Sequence, residues 1–163
     1  MHAADKVLSR HDAAARAADL RVARGPVVFT NGVFDLLHVG HVRYLEYARA
    51  LGGLLIVGVN SDASVRLLGK GPNRPIVPQA ERAEVVAALA CVDFVCIFDE
   101  ERPDATILQI KPEIHVKSAQ YRPDDLPEAA AVREVGGRII IAPHVDGWST
   151  TDIVAKLRAQ DRV

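Results

Sequence analysis

Short, almost purely apolar runs alternate along the chain with longer segments whose apolar positions fall three and four residues apart. The runs are Val27-Val28-Phe29-Thr30, Leu54-Leu55-Ile56-Val57-Gly58-Val59, Val92 to Phe98, Ile114-His115-Val116 and Arg138-Ile139-Ile140-Ile141. Runs this short, bounded by Gly, Pro and polar residues, suit strands buried on both faces. The segments between them read as helices. One spans Gly40 to Leu51, with Val42, Leu45 and Ala48 on one stripe and Gly52-Gly53 ending it. Others cover Ser64 to Leu68, Pro78 to about Ala90, Pro103 to Ile110, and Leu126 to Val135 before Gly136-Gly137. Ser149, with Asp152 three residues on, opens a last helix. Ahead of the first strand, Ser9 and Asp12 resemble a capping box that opens an Ala-rich helix, which stops near Gly25-Pro26. Gly69 to Pro75, rich in Gly and Pro, is a loop.

This alternation predicts an α/β, Rossmann-like fold: a parallel five-stranded sheet with helices on both faces. No linker divides the chain, so residues 1–163 are expected to form a single domain, with 1–25 as a helical extension packed on it. In such sheets ligands bind beyond the carboxyl ends of the strands. The residues just after each strand are therefore the place to look for chemistry.

Composition narrows the choice of ligand. Twenty basic residues against 21 acidic give a net charge of −1, which provides no broad field for nucleic acid or an anionic membrane. An anionic ligand has to be gripped locally. Cys91 and Cys96 flank an apolar stretch and read as core thiols, since neither their count nor their spacing suggests a disulfide framework or a zinc site. No apolar run approaches the roughly 18 residues of a membrane span, and Met1 to Lys6 lacks the pattern of a signal peptide. A cytoplasmic location is expected.

The segment from Thr30 to His41 follows the first of these strands directly and leads into a helix N-terminus. His38 and His41 sit three apart with Gly40 between them. A phosphate there would meet free backbone N–H groups and the positive end of the helix dipole. Gly40 removes a side chain that would hold a nucleotide away. Imidazole N–H groups donate to phosphate oxygens and help most where negative charge builds in a transition state. Neither a Gly-rich dinucleotide fingerprint nor a Walker A loop is present, so phosphate binding rests on this junction.

The run Asn31 to His41 resembles the HxGH signature of the nucleotidyltransferase superfamily, which includes cytidylyltransferases and adenylyltransferases. The wider set is similar to one branch, the bacterial heptose 1-phosphate adenylyltransferases in their stand-alone form. That set comprises Leu8-Ser9-Arg10, Thr30 to Asp35, His38 to His41, Val59 to Ser64, Arg74-Pro75, Glu81-Arg82, and Asp146-Gly147 with Ser149-Thr150-Thr151. The resemblance implies transfer of a nucleotidyl group from an NTP to a small phosphorylated acceptor, with Mg2+ accompanying the NTP and pyrophosphate leaving. His38, His41 and Lys70 would be catalytic. Thr30, Asn31, Gly32, Phe34, Gly40, Arg43, Arg74, Trp148, Ser149, Thr150 and Thr151 would bind the nucleotide. Asp35, Asn60, Asp62, Arg82, Lys117 and Tyr121 would bind the acceptor.

Several of these residues carry a second reading. Asp35 can help hold a metal ion or simply mark the helix entry. Asp62 can contact the acceptor or cap the next short helix. Arg82 can contact a phosphate or form an ion pair. Lys70 and Arg74 can close on substrate with their loop or remain solvated there. Ser149 can cap its helix as well as bind phosphate, and Trp148 can stack on the base or pack. Where the branch usually has Lys followed by Gly-Gly-Asp-Tyr, this chain reads Lys117-Ser118-Ala119-Gln120-Tyr121. That departure keeps two alternatives open: a cytidylyltransferase acting on glycerol 3-phosphate or another polyol phosphate, and a nucleotide-binding regulatory module without turnover. A homodimer formed through exposed helix faces is compatible with this architecture.

Overall fold

The computed structural model describes residues 2–69, 71, 73–119, 121–122, 125–143 and 153. Within them lie six strands: β1 (Val7–Leu8), β2 (Val27–Gly32), β3 (Leu54–Asn60), β4 (Phe94–Phe98), β5 (Ile114–Lys117) and β6 (Arg138–Ile141). The helices are α1 (Arg10–Arg24), α2 (Val39–Ala50), α3 (Asp62–Leu67), α4 (Gln79–Ala87), α5 (Asp104–Ile110) and α6 (Ala129–Glu134). All strand pairs are parallel, in the order β1-β4-β3-β2-β5-β6. Of the helix predicted from Ser149, only Ile153 lies among the described residues, and it is helical.

Strand alternation divides the core into two layers. Val28, Leu55, Val57 and Val59 face Leu45 and Ala48 of α2 and Ala83, Val86 and Ala87 of α4. Val27, Phe29, Leu54, Ile56, Phe94 and Cys96 face Ala13 and Ala17 of α1, Ile107 and Ile110 of α5, and Ala131 and Val132 of α6. With both sheet faces covered, the central strands read as continuous apolar runs. Close approach of the backbone matters at Gly53, where an added Cβ would sit 1.6 Å from the Arg24 carbonyl oxygen.

The count of six strands corrects the expected five. Val7 and Leu8 pair with Val95 and Cys96 of β4 and extend the sheet. Two residues are too few to show alternation, and the strand forms only because β4 offers an edge. Lys6 fixes it there by donating to the carbonyls of Ala87 (2.9 Å), Val92 (2.9 Å) and Leu89 (3.5 Å), at and just beyond the C-terminal end of α4. A cation suits that negative helix end. The first residues are thus part of the sheet as well as of a helix. α1 opens as expected: Ser9 accepts from the Asp12 N–H at 3.0 Å and donates its hydroxyl to the Asp12 carboxylate at 2.7 Å.

β4 starts at Phe94 rather than Val92. Asp93 accepts the Leu55 N–H at 2.8 Å and faces Arg24 at 2.7 Å and Arg49 at 3.2 Å, so it closes the strand entry. From β2 the chain builds outward through β3 and β4, then returns to place β5 on the other side of β2. The crevice above the carboxyl ends of β2 and β5 is the switch point, where open α/β sheets bind ligands.

Candidate nucleotide-binding and transfer site

Asn31 and Gly32 end β2, and a short loop carries the chain to α2. Phe34 adopts a left-handed backbone conformation (φ 49°), which is uncommon for a side-chain-bearing residue. Its ring packs where a Cβ on Gly32 would approach to 3.1 Å. The same ring lies 5.4 Å from the ring of His41. Gly32 therefore makes room for Phe34, and Phe34 backs the second histidine.

His38 is the N-cap of α2 and His41 is its third residue. His41 Nδ1 accepts the His38 backbone N–H at 3.4 Å. The reciprocal contact, from the His41 backbone N–H toward the His38 ring, has the capping-box placement but falls short of a hydrogen bond. His38 Nδ1 is left buried without a partner among the described residues. The two ring centroids are 3.9 Å apart. Burial pulls the His41 pKa down to about 4, and the neighbouring His38 adds to the effect. Burial also lowers His38. The His41 ring is therefore neutral near pH 7. Because its Nδ1 accepts a hydrogen bond, the proton sits on Nε2. A helix N-terminus with a neutral imidazole N–H beside it is a polarised grip for a polyanion, and a second ring lies next to it.

Asp35 follows Phe34 with its side chain 1% exposed. Its Oδ1 accepts the backbone N–H groups of Ile76 (2.8 Å) and Val77 (2.9 Å). Arg74 Nε lies 3.1 Å from Oδ2, a charge contact rather than an aligned hydrogen bond. Asp35 thus ties the loop after α3 to the switch-point loop. Its Oδ1 is taken by two N–H groups and its Oδ2 faces a guanidinium, and no group of three or more His, Cys, Asp or Glu side chains among the described residues is arranged to hold a metal. The Arg74 guanidinium beside Oδ2 disfavours a cation at Asp35 in this arrangement.

Three other sequence candidates make polar contacts within the fold, and for Arg82 these include the ion pair that the sequence left open. Arg82 is fully buried: it donates to Val77 O (2.8 Å) and Val33 O (2.5 Å) and pairs with Asp62 (2.7 Å). Thr30 is fully buried, and its hydroxyl is 2.7 Å from that of Tyr44, which donates to Val116 O at 2.8 Å. Asn60 donates to the Ser64 hydroxyl at 2.9 Å inside the fold. Ser61, not Asp62, caps α3, and the Asp62 carboxylate takes Arg82. Arg43 is exposed on α2.

Across the crevice Lys117, the last residue of β5, donates to Asn31 Oδ1 at 3.2 Å. Its ammonium is 5.2 Å from the Tyr121 ring centroid. It also pairs with Glu128 at 3.0 Å, and Glu128 is 3.3 Å from His115 Nε2. Sequence reasoning missed Glu128, His115 and Tyr44. The signals that point to them are a carboxylate opening an Ala-rich helix, a histidine inside an apolar strand, and a tyrosine on the sheet-facing side of α2. Gln120 of the altered segment lies outside the described residues, as do Lys70, Trp148, Ser149, Thr150 and Thr151. A cavity of ≈ 350 Å³ beside the junction is lined by Phe34, Asp35, Leu37, Val77, Arg82 and Val85 among others.

A parallel sheet with a switch-point crevice, and an imidazole pair at the helix N-terminus that opens from it, define a nucleotide-binding protein of the nucleotidyltransferase type. The comparisons agree: the cytidylyltransferase-like family model matches residues 29–156, and the chain belongs to that family. It is 48% identical over 153 residues to the D-beta-D-heptose 1-phosphate adenylyltransferase of Bordetella bronchiseptica, covering 94% of each chain. It is 51% identical to the bifunctional protein HldE of Trichlorobacter lovleyi over 93% of this chain, but spans only 30% of that longer protein. Among solved structures, a lipopolysaccharide core biosynthesis protein from Thermoplasma volcanium matches with a TM-score of 0.61 and 28% identity, over 76% of this chain and 98% of that one.

Proposed function

We propose that the protein is an adenylyltransferase that joins AMP from ATP to heptose 1-phosphate and releases pyrophosphate. The observation that carries this reading is the neutral His41, with its proton on Nε2 at the α2 N-terminus, beside the switch-point crevice. The 48% identity to a heptose 1-phosphate adenylyltransferase over nearly all of both chains supports the choice of substrates.

In the proposed reaction an acceptor phosphate oxygen attacks the α-phosphorus in line. A P–O bond forms to the acceptor, and the bond from the α-phosphorus to the β-phosphate oxygen breaks. The acceptor oxygen is already ionised, so no general base is required. His41 donates from Nε2 to the α-phosphate as charge accumulates, and the adjacent His38 contributes a second ring. The α2 N-terminus adds free N–H groups and its dipole. Lys117 and Tyr121 line the acceptor side. Lys70, Ser149, Thr150 and Thr151 complete the triphosphate contacts in this reading. A divalent cation, magnesium in our reading, travels with the triphosphate on its own oxygens, and no residue described here is assigned to hold it. No helix among the described residues is long and apolar enough to cross a membrane, and we assign the enzyme to the cytoplasm.

Pyrophosphate release, measured for ATP, CTP, GTP and UTP against a panel of sugar and polyol phosphates, tests this assignment. ATP with heptose 1-phosphate is expected to be the fastest pair. A preference for CTP with glycerol 3-phosphate would replace the specificity. Tight NTP binding with no release for any pair would make the protein a regulatory module.

A further inference from the structure

We propose that Glu128 is a positioning residue: it holds the Lys117 ammonium over the β2–β5 crevice and cancels its charge, so that Lys117 donates directionally to an uncharged polar atom of a substrate. The proposal rests on reading this crevice as the transfer site.

Glu128 is 3% exposed at the N-cap of α6. A carboxylate that dry must be compensated by its neighbours. Two groups reach its Oε1, Lys117 at 3.0 Å and His115 at 3.3 Å. His115 is fully buried and stacked on Phe29 with ring centroids 5.6 Å apart. Burial lowers its pKa despite the carboxylate, so the ring is neutral and donates Nε2–H without adding charge. Burial pushes Glu128 up, but the His115 hydrogen bond and the Lys117 charge outweigh it and bring the carboxyl to about 2. Among the described residues Lys117 is therefore the one cation paired with the ionised Glu128 carboxylate.

A lysine at the end of a strand can extend into water at little cost. Lys117 instead turns inward, with a side chain 12% exposed, donating an N–H to Asn31 of the neighbouring strand and lying 3.0 Å from the Glu128 carboxylate in an ion pair. The Tyr121 ring flanks it. A lysine ammonium carries three N–H groups, and one of them goes to a ligand in this proposal. The Lys117–Glu128 pair is neutral as a unit, so it is a poor electrostatic anchor for a phosphate and a well-oriented donor to a hydroxyl, carbonyl or ring nitrogen. The phosphate-binding charge then falls to the α2 junction and its loops, and Lys117 is left to recognise the uncharged part of a substrate.

The test uses the whole protein and four variants: Glu128→Gln, Glu128→Asp, Lys117→Met, and Glu128→Gln with Lys117→Met. The first readout needs no activity. Nitrogen-resolved NMR of the ligand-free protein is expected to show slowly exchanging Lys117 ammonium protons that vanish in Glu128→Gln; their persistence would overturn the positioning role. The second is steady-state kinetics with each substrate varied in turn. Glu128→Gln is expected to raise KM about tenfold for one substrate with kcat within about threefold, and Glu128→Asp to recover part of the loss. The double variant is expected to be no worse than Lys117→Met alone. Multiplicative losses, or a lowered Tm with unchanged KM, would assign Glu128 to the fold only. If Glu128→Gln does not fold, Glu128→Asp against Lys117→Met carries both readouts. A wild-type protein that releases no pyrophosphate with any substrate pair defeats the proposed function, while the NMR arm still decides whether Glu128 holds Lys117.

Discussion

In the proposed mechanism His41 carries two jobs on two nitrogens, and substitutions can separate them. Its Nδ1 accepts the His38 N–H at 3.4 Å, a long and therefore weak cap bond. A cap contact of this kind contributes about 1 kcal/mol at most. Its Nε2–H is the donor assigned to the α-phosphate, and removing one such donor costs about 3 kcal/mol in transition-state stabilisation, or about 10²- to 10³-fold in rate. Asn has an oxygen near the position of Nδ1 and nothing at Nε2. Gln reaches the Nε2 position with an amide N–H but loses the cap. His41→Asn is thus expected to keep Tm within about 2 °C of wild type, given ~2–4 °C per kcal/mol for a chain of this size. It should lose about 10²- to 10³-fold in kcat, measured by pyrophosphate release at saturating substrates. His41→Gln is expected to show the reverse, with a lower Tm and partial activity. His41→Ala should lose both. Near-normal turnover in His41→Asn would refute the role of Nε2. Equal Tm values in the Asn and Ala variants would refute the cap.

The remaining predictions concern acid stability and backbone packing. The folded His41 pKa, about 4, lies below its ordinary value of 6.5, so the unfolded chain takes up that proton first as pH falls. Stability should decline from about pH 6.5 to about 4, with His41 alone contributing about 2 kcal/mol after discounting for its partial exposure. Glu128 has the same sense in a lower window: its stabilisation is full above about 4.5 and is lost toward about 2. Urea melts across this range should show both declines, and a flat profile from pH 7 to 4 would contradict the neutral histidines. Gly53→Ala would push a Cβ to 1.6 Å from the Arg24 carbonyl oxygen, and backbone cannot yield as a side chain does. A loss of about 3 kcal/mol is expected by chemical denaturation, at the upper end of overpacking costs.

The architecture was largely legible because its signals are local. β2 and β3 are apolar along their whole length, and the Ser9 cap and the glycines after α2 mark their own boundaries. The His38–His41 junction was legible because a strand-to-helix turn in the first interior unit of such a sheet is where phosphates bind. What escaped depends on contacts distant in sequence. β1 exists only through β4. Glu128 matters only because β5 brings Lys117 and His115 to it. The phosphate and ion-pair readings of Arg82 could not be separated by sequence because its burial is set by carbonyls of Val33 and Val77, which no helical pattern reveals. The Asp35–Arg74 contact is hidden for the same reason, since the two residues lie far apart in the chain.

The Tyr44 hydroxyl, linked to Thr30 on one strand and to the Val116 carbonyl on the next, acts as a rivet across the middle of the sheet. Strands joined that way cannot part to admit a guest. Whatever accommodation an incoming molecule requires must come from the connecting segments above, with the floor beneath it staying rigid from one turnover to the next.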